Sequence, residues 1–122
     1  MMAVHNDTGT QGEVIAKQHL EENGYEILEV NWRYRRAEVD LIALKESTLI
    51  FAEVKTRTGN SYGEPEDFVT YEKQGRLEYA AGEYIYKSGH NDEIRFDIIS
   101  ILFDKFGNYK IHHIEDAFWP GS

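Results

Sequence analysis

The sequence predicts a mixed α/β protein in which a β-sheet is flanked by helices, with elements in the order α-β-β-β-α-β-β. Two segments with helical spacing of apolar residues, near the start and the middle of the chain, indicate the helices. Three strand-like runs between them and two after them indicate the sheet. A chain of 122 residues is long enough for one hydrophobic core, so residues 1–122 are predicted to form a single domain.

The two helices have recognisable ends. The first is expected to begin at TQGE (10–13), which has the form of a capping box, and to extend to about Asn23. Gly24 then suits the helix C-terminus. The second helix is expected to be capped by Thr70 and to run to about Lys87. Its apolar residues recur with helical spacing at Leu77, Ala80, Ala81, Tyr84 and Ile85.

The strands are the runs rich in β-branched, aromatic and other apolar residues. A short polar turn separates the second strand from the third, and another separates the fourth from the fifth. The predicted strands cover residues 25–36, 38–45, 48–57, 94–103 and 108–114. Residues 1–9 are expected to be flexible, and residues 59–66, rich in Gly, Ser and Asn, are expected to form a mobile loop.

Composition excludes several classes of function. The chain has no cysteine, which excludes disulfides, thiolate metal sites and cysteine nucleophiles. No apolar run approaches the roughly 20 residues that span a bilayer, and the first residues do not resemble a signal peptide, so a cytoplasmic protein without membrane association is expected. The formal net charge of −9 disfavours a strongly basic nucleic-acid binder.

Three charged residues lie within the most strand-like part of the chain. Because side chains alternate faces along a strand, Glu53 and Lys55 are predicted to share one face, as are Glu38, Asp40 and Ile42 of the preceding strand. An even-numbered loop would place Asp40 on the face of Glu53. A two-residue loop would place them directly opposite, with Cβ atoms about 4.5–5.5 Å apart.

Carboxylates at that separation repel one another, and a divalent cation between them would convert the repulsion into attraction. Mg²⁺ prefers oxygen ligands and is often held by one or two carboxylates together with substrate phosphate. Asp40 and Glu53 are therefore candidate ligands of Mg²⁺ or Mn²⁺, and Lys55 could orient water or stabilise a phosphorane-like transition state. The alternative is that Glu53 and Lys55 form the solvated face of a half-exposed strand.

An ordered set of short sequence pieces spans most of the chain. These pieces are GE (12–13), NGYEIL (23–28), N-x-R (31–33), AEVDLIA (37–43), FAEVKTR (51–57), Lys73, AA (80–81), RFD (95–97) and DAF (116–118). Together they resemble the YraN family of small bacterial proteins, which is similar to Holliday junction resolvases and to the PD-(D/E)XK, restriction-endonuclease-like nucleases. The resemblance implies a restriction-endonuclease-like mixed sheet flanked by helices.

The resemblance also implies roles for individual residues. It places the acidic residue of the PD-(D/E)XK motif at Asp40, the second acid at Glu53 and the lysine at Lys55. The resolvase-like acid of the first helix falls on Glu13, for which the reciprocal partner in a capping box is the alternative role. Where the family usually has GEID this chain has AEVD (37–40), which removes a glycine and keeps the acids.

Basic and acidic residues around these positions are candidates for supporting roles. Arginines interleaved with Trp32 and Tyr34 suit contacts to a nucleic-acid backbone beside an aromatic platform, although a solvated strand end has the same composition. Lys73 could neutralise phosphate or lie along the helix surface, and Glu38 could support the site or carry strand-edge charge. The candidate nucleic-acid-binding residues are Arg33, Arg35, Arg36, Arg57 and Lys73.

Asp97, His112 and His113 are interpreted as structural. Asp97 interrupts an apolar strand and is expected to bond to Arg95 or to a backbone amide, and the two histidines point to opposite faces of one strand.

Three functions remain open on these grounds. The first is a metal-dependent nuclease acting on DNA, including branched or structured DNA. By analogy with resolvases it could act as a homodimer, paired through a sheet edge or the AFWP segment (117–120). The second is a non-catalytic nucleic-acid-binding module of the same fold. The third is a protein-interaction scaffold, which the negative net charge favours.

Overall fold

The computed structural model describes residues 8–59 and 69–118. These residues form two helices and five strands in the order predicted from the sequence. The elements are α1 (Thr8–Glu22), β1 (Glu26–Tyr34), β2 (Ala37–Lys45), β3 (Thr48–Thr58), α2 (Tyr71–Ser88), β4 (Ile94–Phe103) and β5 (Tyr109–Ile114).

The five strands form one mixed sheet in the order β1-β2-β3-β4-β5. The pairs β1–β2, β2–β3 and β4–β5 are antiparallel, and β3–β4 is parallel. The parallel pair requires a crossover, and α2 lies within the connection between these two strands. The described structure therefore confirms the predicted mixed sheet flanked by helices.

The two helices pack against opposite faces of the sheet, each over its own hydrophobic cluster. The cluster under α1 includes Ala16 and Leu20 of the helix. The cluster under α2 includes Leu77, Ala80 and Ala81. Strands β2, β3 and β4 contribute buried residues to both clusters, as expected for central strands covered on both faces.

The helix ends agree with the sequence at three of four positions. Gly24 (φ 88°) and Gly89 (φ 73°) follow the helices in the left-handed conformation, and the hydroxyl of Thr70 caps α2 by accepting from the Lys73 amide at 3.1 Å. The predicted capping box is wrong, because α1 begins at Thr8. Thr10 therefore lies in the first turn, and an N-cap residue requires a non-helical backbone.

Two predicted features lie largely outside the described residues. The N-terminal segment is described only from Thr8, which belongs to α1, and the predicted loop 59–66 is described only at Gly59. The AFWP segment is described at Ala117 and Phe118, where the Ala117 amide donates to the Phe96 carbonyl at 2.7 Å. In the two described ranges, neither helix is long and apolar enough to cross a membrane.

Candidate active site

The hairpin formed by β2 and β3 sets the geometry of the site. Lys45 pairs with Thr48, so the loop consists of residues 46–47. This is the two-residue loop expected to place Asp40 opposite Glu53. The ladder continues in this register to the pair Leu41–Ala52 and ends there. The next positions of the two strands are Asp40 and Glu53, so the two acids lie beyond the last regular pair of the hairpin.

The alternation of side chains along β2 reverses at Asp40. Val39 belongs to the cluster under α2, whereas Leu41 belongs to the cluster under α1. The prediction that Glu38, Asp40 and Ile42 share a face is therefore wrong, because Glu38 and Ile42 lie on opposite sides of this reversal. At the position across from Asp40 in β1, Asn31 has a left-handed backbone (φ 52°).

Asp40 uses its carboxylate to bond to the neighbouring strand. The backbone N–H of Val54 donates to Oδ2 of Asp40 at 2.8 Å. Burial, followed by the negative charges of Glu53 and then Glu13, raises the pKa of Asp40 to about 7, although the Val54 hydrogen bond and the charge of Lys73 lower it. Burial and the neighbouring carboxylates therefore both disfavour the ionised form of Asp40.

Glu53 is the buried acid of the site. It is 3% exposed and is one of two charged residues buried in the described chain, with Asp97 the other. Its Oε2 contacts the ammonium of Lys73, which projects from the first turn of α2, and lies 3.7 Å from Nζ of Lys55. Buried carboxylates require such partners, since an unpaired charge is costly to remove from water.

The two lysines respond differently to this environment. Burial and the adjacent ammonium of Lys73 lower the pKa of Lys55, although Glu53 and Asp40 raise it. Burial also lowers the pKa of Lys73, but the hydrogen bond and charge of Glu53 outweigh it, so the net shift is upward. Lys73 is thus the main counter-ion of Glu53, and Lys55 is the lysine that loses its proton more easily.

Glu13 approaches the site from α1. Its Oε1 accepts from Nδ2 of Asn31 at 3.3 Å, and its charge is among those that act on Asp40. The close approach of α1 to the sheet depends on Gly12, because a Cβ at that position would lie 2.0 Å from Cγ2 of Thr56. Gly12 and Asn31 were not identified as functional residues from the sequence, although both lie within the pieces GE and N-x-R.

The predicted nucleic-acid-binding arginines do not all join the site. Nε of Arg33 lies 3.7 Å from Oε2 of Glu38 across the β1–β2 pair, so Glu38 has a partner of its own. The guanidinium of Arg35 lies 5.4 Å from the centre of the Tyr34 ring. Arg36 and Arg57 are exposed. Lys73 contacts the buried carboxylate of Glu53.

Two aromatic rings stack beside the arginines on β1. The rings of Trp32 and Tyr34 are stacked with centroids 6.4 Å apart, and Tyr84 of α2 meets Trp32 edge to face at 5.1 Å. Trp32 and Tyr34 are half-buried and pack against the cluster under α2. Rings held in this way are fixed in position at the end of the strand that carries Arg33.

A second polar cluster surrounds Asp97, which is fully buried. Arg95 donates to both of its carboxylate oxygens at 2.9 and 2.8 Å, the Asp116 amide donates at 3.0 Å, and Nε2 of His113 lies at 2.7 Å. The structural interpretation of Asp97 is confirmed. His113 also meets His19 of α1, with Nδ1 and Nε2 3.1 Å apart, a contact that the sequence did not predict.

The donor set at the end of the hairpin fits a hard divalent cation. Asp40 and Glu53 supply carboxylate oxygens, the ligands that Mg²⁺ and Mn²⁺ prefer. Burial raises the pKa of Asp40 most, and the charges of Glu53 and Glu13, which a cation would offset, raise it further. Within residues 8–59 and 69–118 no group of three or more His, Asp or Glu side chains is arranged to hold a metal ion. Asp40 and Glu53 would therefore be the carboxylate ligands of a cation here, and other oxygen atoms, such as those of water or phosphate, would complete its coordination.

The fold and the site define a mixed α/β protein with an Asp–Glu–Lys cluster around the buried Glu53 at the open end of a β-hairpin. The chain belongs to the uncharacterised protein family UPF0102, whose family model matches residues 12–101. This membership confirms the resemblance to the YraN family.

Relatives from different bacteria match nearly the whole chain. The chain is 48% identical to a UPF0102 protein of Christiangramia forsetii, over 97% of this chain and 98% of the relative. It is 43% identical to one of Rhodococcus jostii over 96% and 100%, and 41% identical to one of Bacteroides thetaiotaomicron over 98% of both chains.

Proposed function

We propose that this protein is a cytoplasmic, metal-dependent nuclease that hydrolyses phosphodiester bonds in DNA, including branched or structured DNA. The observation that carries the proposal is the buried Glu53, contacted by Lys55 and Lys73 and placed next to Asp40, whose pKa is raised. Strongly shifted ionisable groups clustered at one point of a fold are typical of active sites.

Asp40 and Glu53 are the residues that would hold Mg²⁺ or Mn²⁺. When bound, the cation supplies a Lewis acid for a phosphate oxygen and lowers the pKa of a coordinated water. The Val54 amide fixes one oxygen of Asp40, which leaves its second oxygen available. Glu53 is held from the α2 side by Lys73, so cation binding is expected to compete with that ion pair.

Lys55 is the residue placed to act on the reacting water and phosphate. It is 22% exposed at the side chain, so it lies close to Glu53 and still reaches solvent. In the hydrolysis a water oxygen forms a bond to phosphorus while one ester P–O bond breaks. The water releases a proton to solvent and the departing oxygen gains one. The ammonium of Lys55 orients the water and stabilises the added negative charge.

The proposal assigns DNA contacts to the basic residues near the open end of the hairpin. Arg33, Arg35 and Arg36 lie at the β1–β2 turn beside the platform of Trp32 and Tyr34, and Arg57 lies two residues after Lys55 on β3. Arginine suits contacts with phosphate, and stacked rings suit contacts with unpaired bases. A homodimer is part of the proposal, because a branched substrate offers two strands to cut.

A non-catalytic nucleic-acid-binding module is the second candidate. The contact between Lys73 and Glu53 favours it, because an ammonium group already compensates the carboxylate that would bind the cation. In that case the arginines would bind DNA and the buried charges would serve the fold alone. A protein-interaction scaffold, consistent with the net charge of −9, would bind no nucleic acid.

One experiment separates these functions. Linear, flapped and four-way-junction DNAs are incubated with the wild-type protein, Asp40→Ala or Lys55→Ala in Mg²⁺ or Mn²⁺. If the protein is a nuclease, the wild type is expected to cleave at least one of these DNAs and the two variants to cleave none. Identical behaviour of all three proteins would contradict catalysis. Binding without cleavage, lost on replacing Arg35 and Arg36 by Gln, would support the binding module. Absence of binding at low salt, where phosphate contacts are strongest, would leave the scaffold.

A further inference from the structure

Asn31 occupies an unusual position in β1. Its neighbours Val30 and Trp32 pair with Leu41 and Val39, so Asp40 lies across from it. Its backbone has φ 52°, a left-handed conformation that asparagine tolerates better than most residues with a side chain. Since the alternation of β2 reverses at the same point, the backbone of Asn31 and the displacement of Asp40 from the ladder belong to one irregularity.

The side chain of Asn31 connects this irregularity to α1. Its Nδ2 donates to Oε1 of Glu13 at 3.3 Å, across 18 positions of the sequence. Glu13 in turn acts on Asp40 through its charge. Asn31 therefore contacts the acid from the helix with its side chain, and its left-handed backbone lies across from Asp40.

We infer that Asn31 is a positioning residue that holds Glu13 beside Asp40 and fixes Asp40 at the end of the β2–β3 ladder, thereby increasing the affinity of the site for a divalent cation. The part concerning the cation rests on the proposed function. Glu13 acts through its charge, because no three carboxylates in the described ranges are arranged around one cation position. A carboxylate near a cation site attracts the ion without coordinating it.

Two substitutions separate the backbone of Asn31 from its side chain. Asn31→Gly retains access to the left-handed conformation and removes the amide, whereas Asn31→Ala removes the amide and disfavours the conformation. Hydrogen exchange of the Val54 amide, which bonds to Asp40, reports the strand geometry. Asn31→Gly is expected to leave this exchange unchanged, and Asn31→Ala to accelerate it roughly fivefold to thirtyfold. Equal exchange in both variants would overturn the backbone role.

A double-mutant cycle tests the link between Asn31 and Glu13. Calorimetric titration with Mn²⁺ is expected to show an affinity roughly threefold to tenfold lower for Glu13→Gln and for Asn31→Gly than for the wild type. The double variant is expected to resemble Glu13→Gln, because the amide acts through that carboxylate. Effects that multiply in the double variant, or no effect of Asn31→Gly, would overturn the positioning role. Glu22→Gln, at the far end of α1, and Glu46→Gly, a left-handed residue (φ 57°) in the hairpin loop, are controls.

Failure of the inference and failure of the proposed function give different results. A wild-type protein that binds Mn²⁺ and cleaves DNA, with Asn31→Gly unchanged, would contradict the inference alone. A wild-type protein that neither binds Mn²⁺ nor cleaves would contradict the proposed function. The hydrogen bond between Asn31 and Glu13 is then tested by NMR. The chemical shifts of the Asn31 side-chain amide are expected to change in Glu13→Gln if the two residues are bonded, and to stay the same if they are not.

Discussion

The ammonium of Lys73, in the first turn of α2, contacts the carboxylate of Glu53, whose side chain is 4% exposed in the middle of β3. This ion pair joins the helix to the sheet at the point where Lys55 also approaches Glu53 and where the charge of Glu53 acts on Asp40. The buried acid is thus compensated from outside the hairpin, whereas Asp40 accepts a hydrogen bond from an amide and has a raised pKa, caused first by burial.

Replacing Lys73 by Met is expected to destabilise the protein, because Glu53 would keep Lys55 alone as its counter-ion, at 3.7 Å. Leaving a buried acceptor without its partner costs about 1–3 kcal/mol, which urea unfolding at pH 7.5 measures. Lys87→Met is the matched control, since Lys87 forms an exposed i,i+4 pair with Glu83. Equal losses in the two variants would show that the Lys73 contact has no special importance.

The same Lys73→Met variant is expected to gain more stability from Mg²⁺ or Mn²⁺ than the wild type. The cation would no longer compete with an ammonium at Glu53. A larger rise in melting temperature with added cation checks this competition. A rise equal to that of the wild type would contradict it.

Asp40→Asn is expected to stabilise the protein above neutral pH. The pKa of Asp40 is raised from 3.8 to about 7, so ionisation of Asp40 opposes folding and stability falls as the pH rises through this range. Asparagine removes that charge and can still accept from the Val54 amide. The gain is expected to be about 1–3 kcal/mol at pH 8 and to vanish near pH 4.

Unfolding in urea across pH 4–8 measures the gain, with Glu46→Gln in the exposed loop as control. An Asp40→Asn protein that is less stable than the wild type at pH 8 would show that the carboxylate is not under strain in the fold.

Gly12→Ala is expected to displace α1 from the sheet. The added Cβ would lie 2.0 Å from Cγ2 of Thr56, a stiff β-branched side chain. Overpacking of this kind costs about 1–3 kcal/mol and would also move the adjacent Glu13. Thr56→Ser removes the colliding methyl group, so Gly12→Ala with Thr56→Ser should recover most of the stability in thermal unfolding. If the double variant were no more stable than Gly12→Ala, the loss of stability would not come from a collision with Thr56.

The contact between His19 and His113 predicts a loss of stability in acid. Burial, together with the facing His113, lowers the pKa of His19 below 6.5, although Glu22 raises it. The unfolded chain therefore takes up a proton more readily at this residue, and stability falls as the pH drops below about 6.5. His19→Gln is expected to lose less stability between pH 7.5 and pH 5.5 than the wild type.

Melting temperatures across that range measure the effect, and His112→Gln, on an exposed residue of β5, is the control. A His19→Gln protein with the pH dependence of the wild type would show that His19 does not carry it.

Much of the fold and the approximate position of the site followed from local sequence signals. The apolar runs gave the five strands, and the polar pair Glu46–Ser47 between two of them gave a two-residue loop. Once the loop length is set, the register of β2 and β3 places Asp40 next to Glu53. Lys73 was predicted near the buried stripe of α2, and its helix position brings it to Glu53.

The remaining features depend on contacts between distant segments. The reversal of side-chain alternation at Asp40 lies across from the left-handed backbone of Asn31, and periodicity in β2 reveals neither feature. The approach of Gly12 to Thr56 depends on how α1 packs over the sheet. His19 and His113 are 94 positions apart in the sequence, and they meet because α1 packs over the sheet near β5. No local pattern encodes these distances.

The most direct test of the central claim is diffraction from crystals soaked in Mn²⁺, with data collected to detect the anomalous signal of manganese. The account predicts one manganese peak bound by Asp40 and Glu53, with Lys55 beside it and Lys73 displaced from Glu53. Asp40→Asn crystals should lose that peak. Wild-type crystals in which Lys73 still contacts Glu53 and no manganese lies between the two acids would contradict the assignment of this site as the catalytic centre.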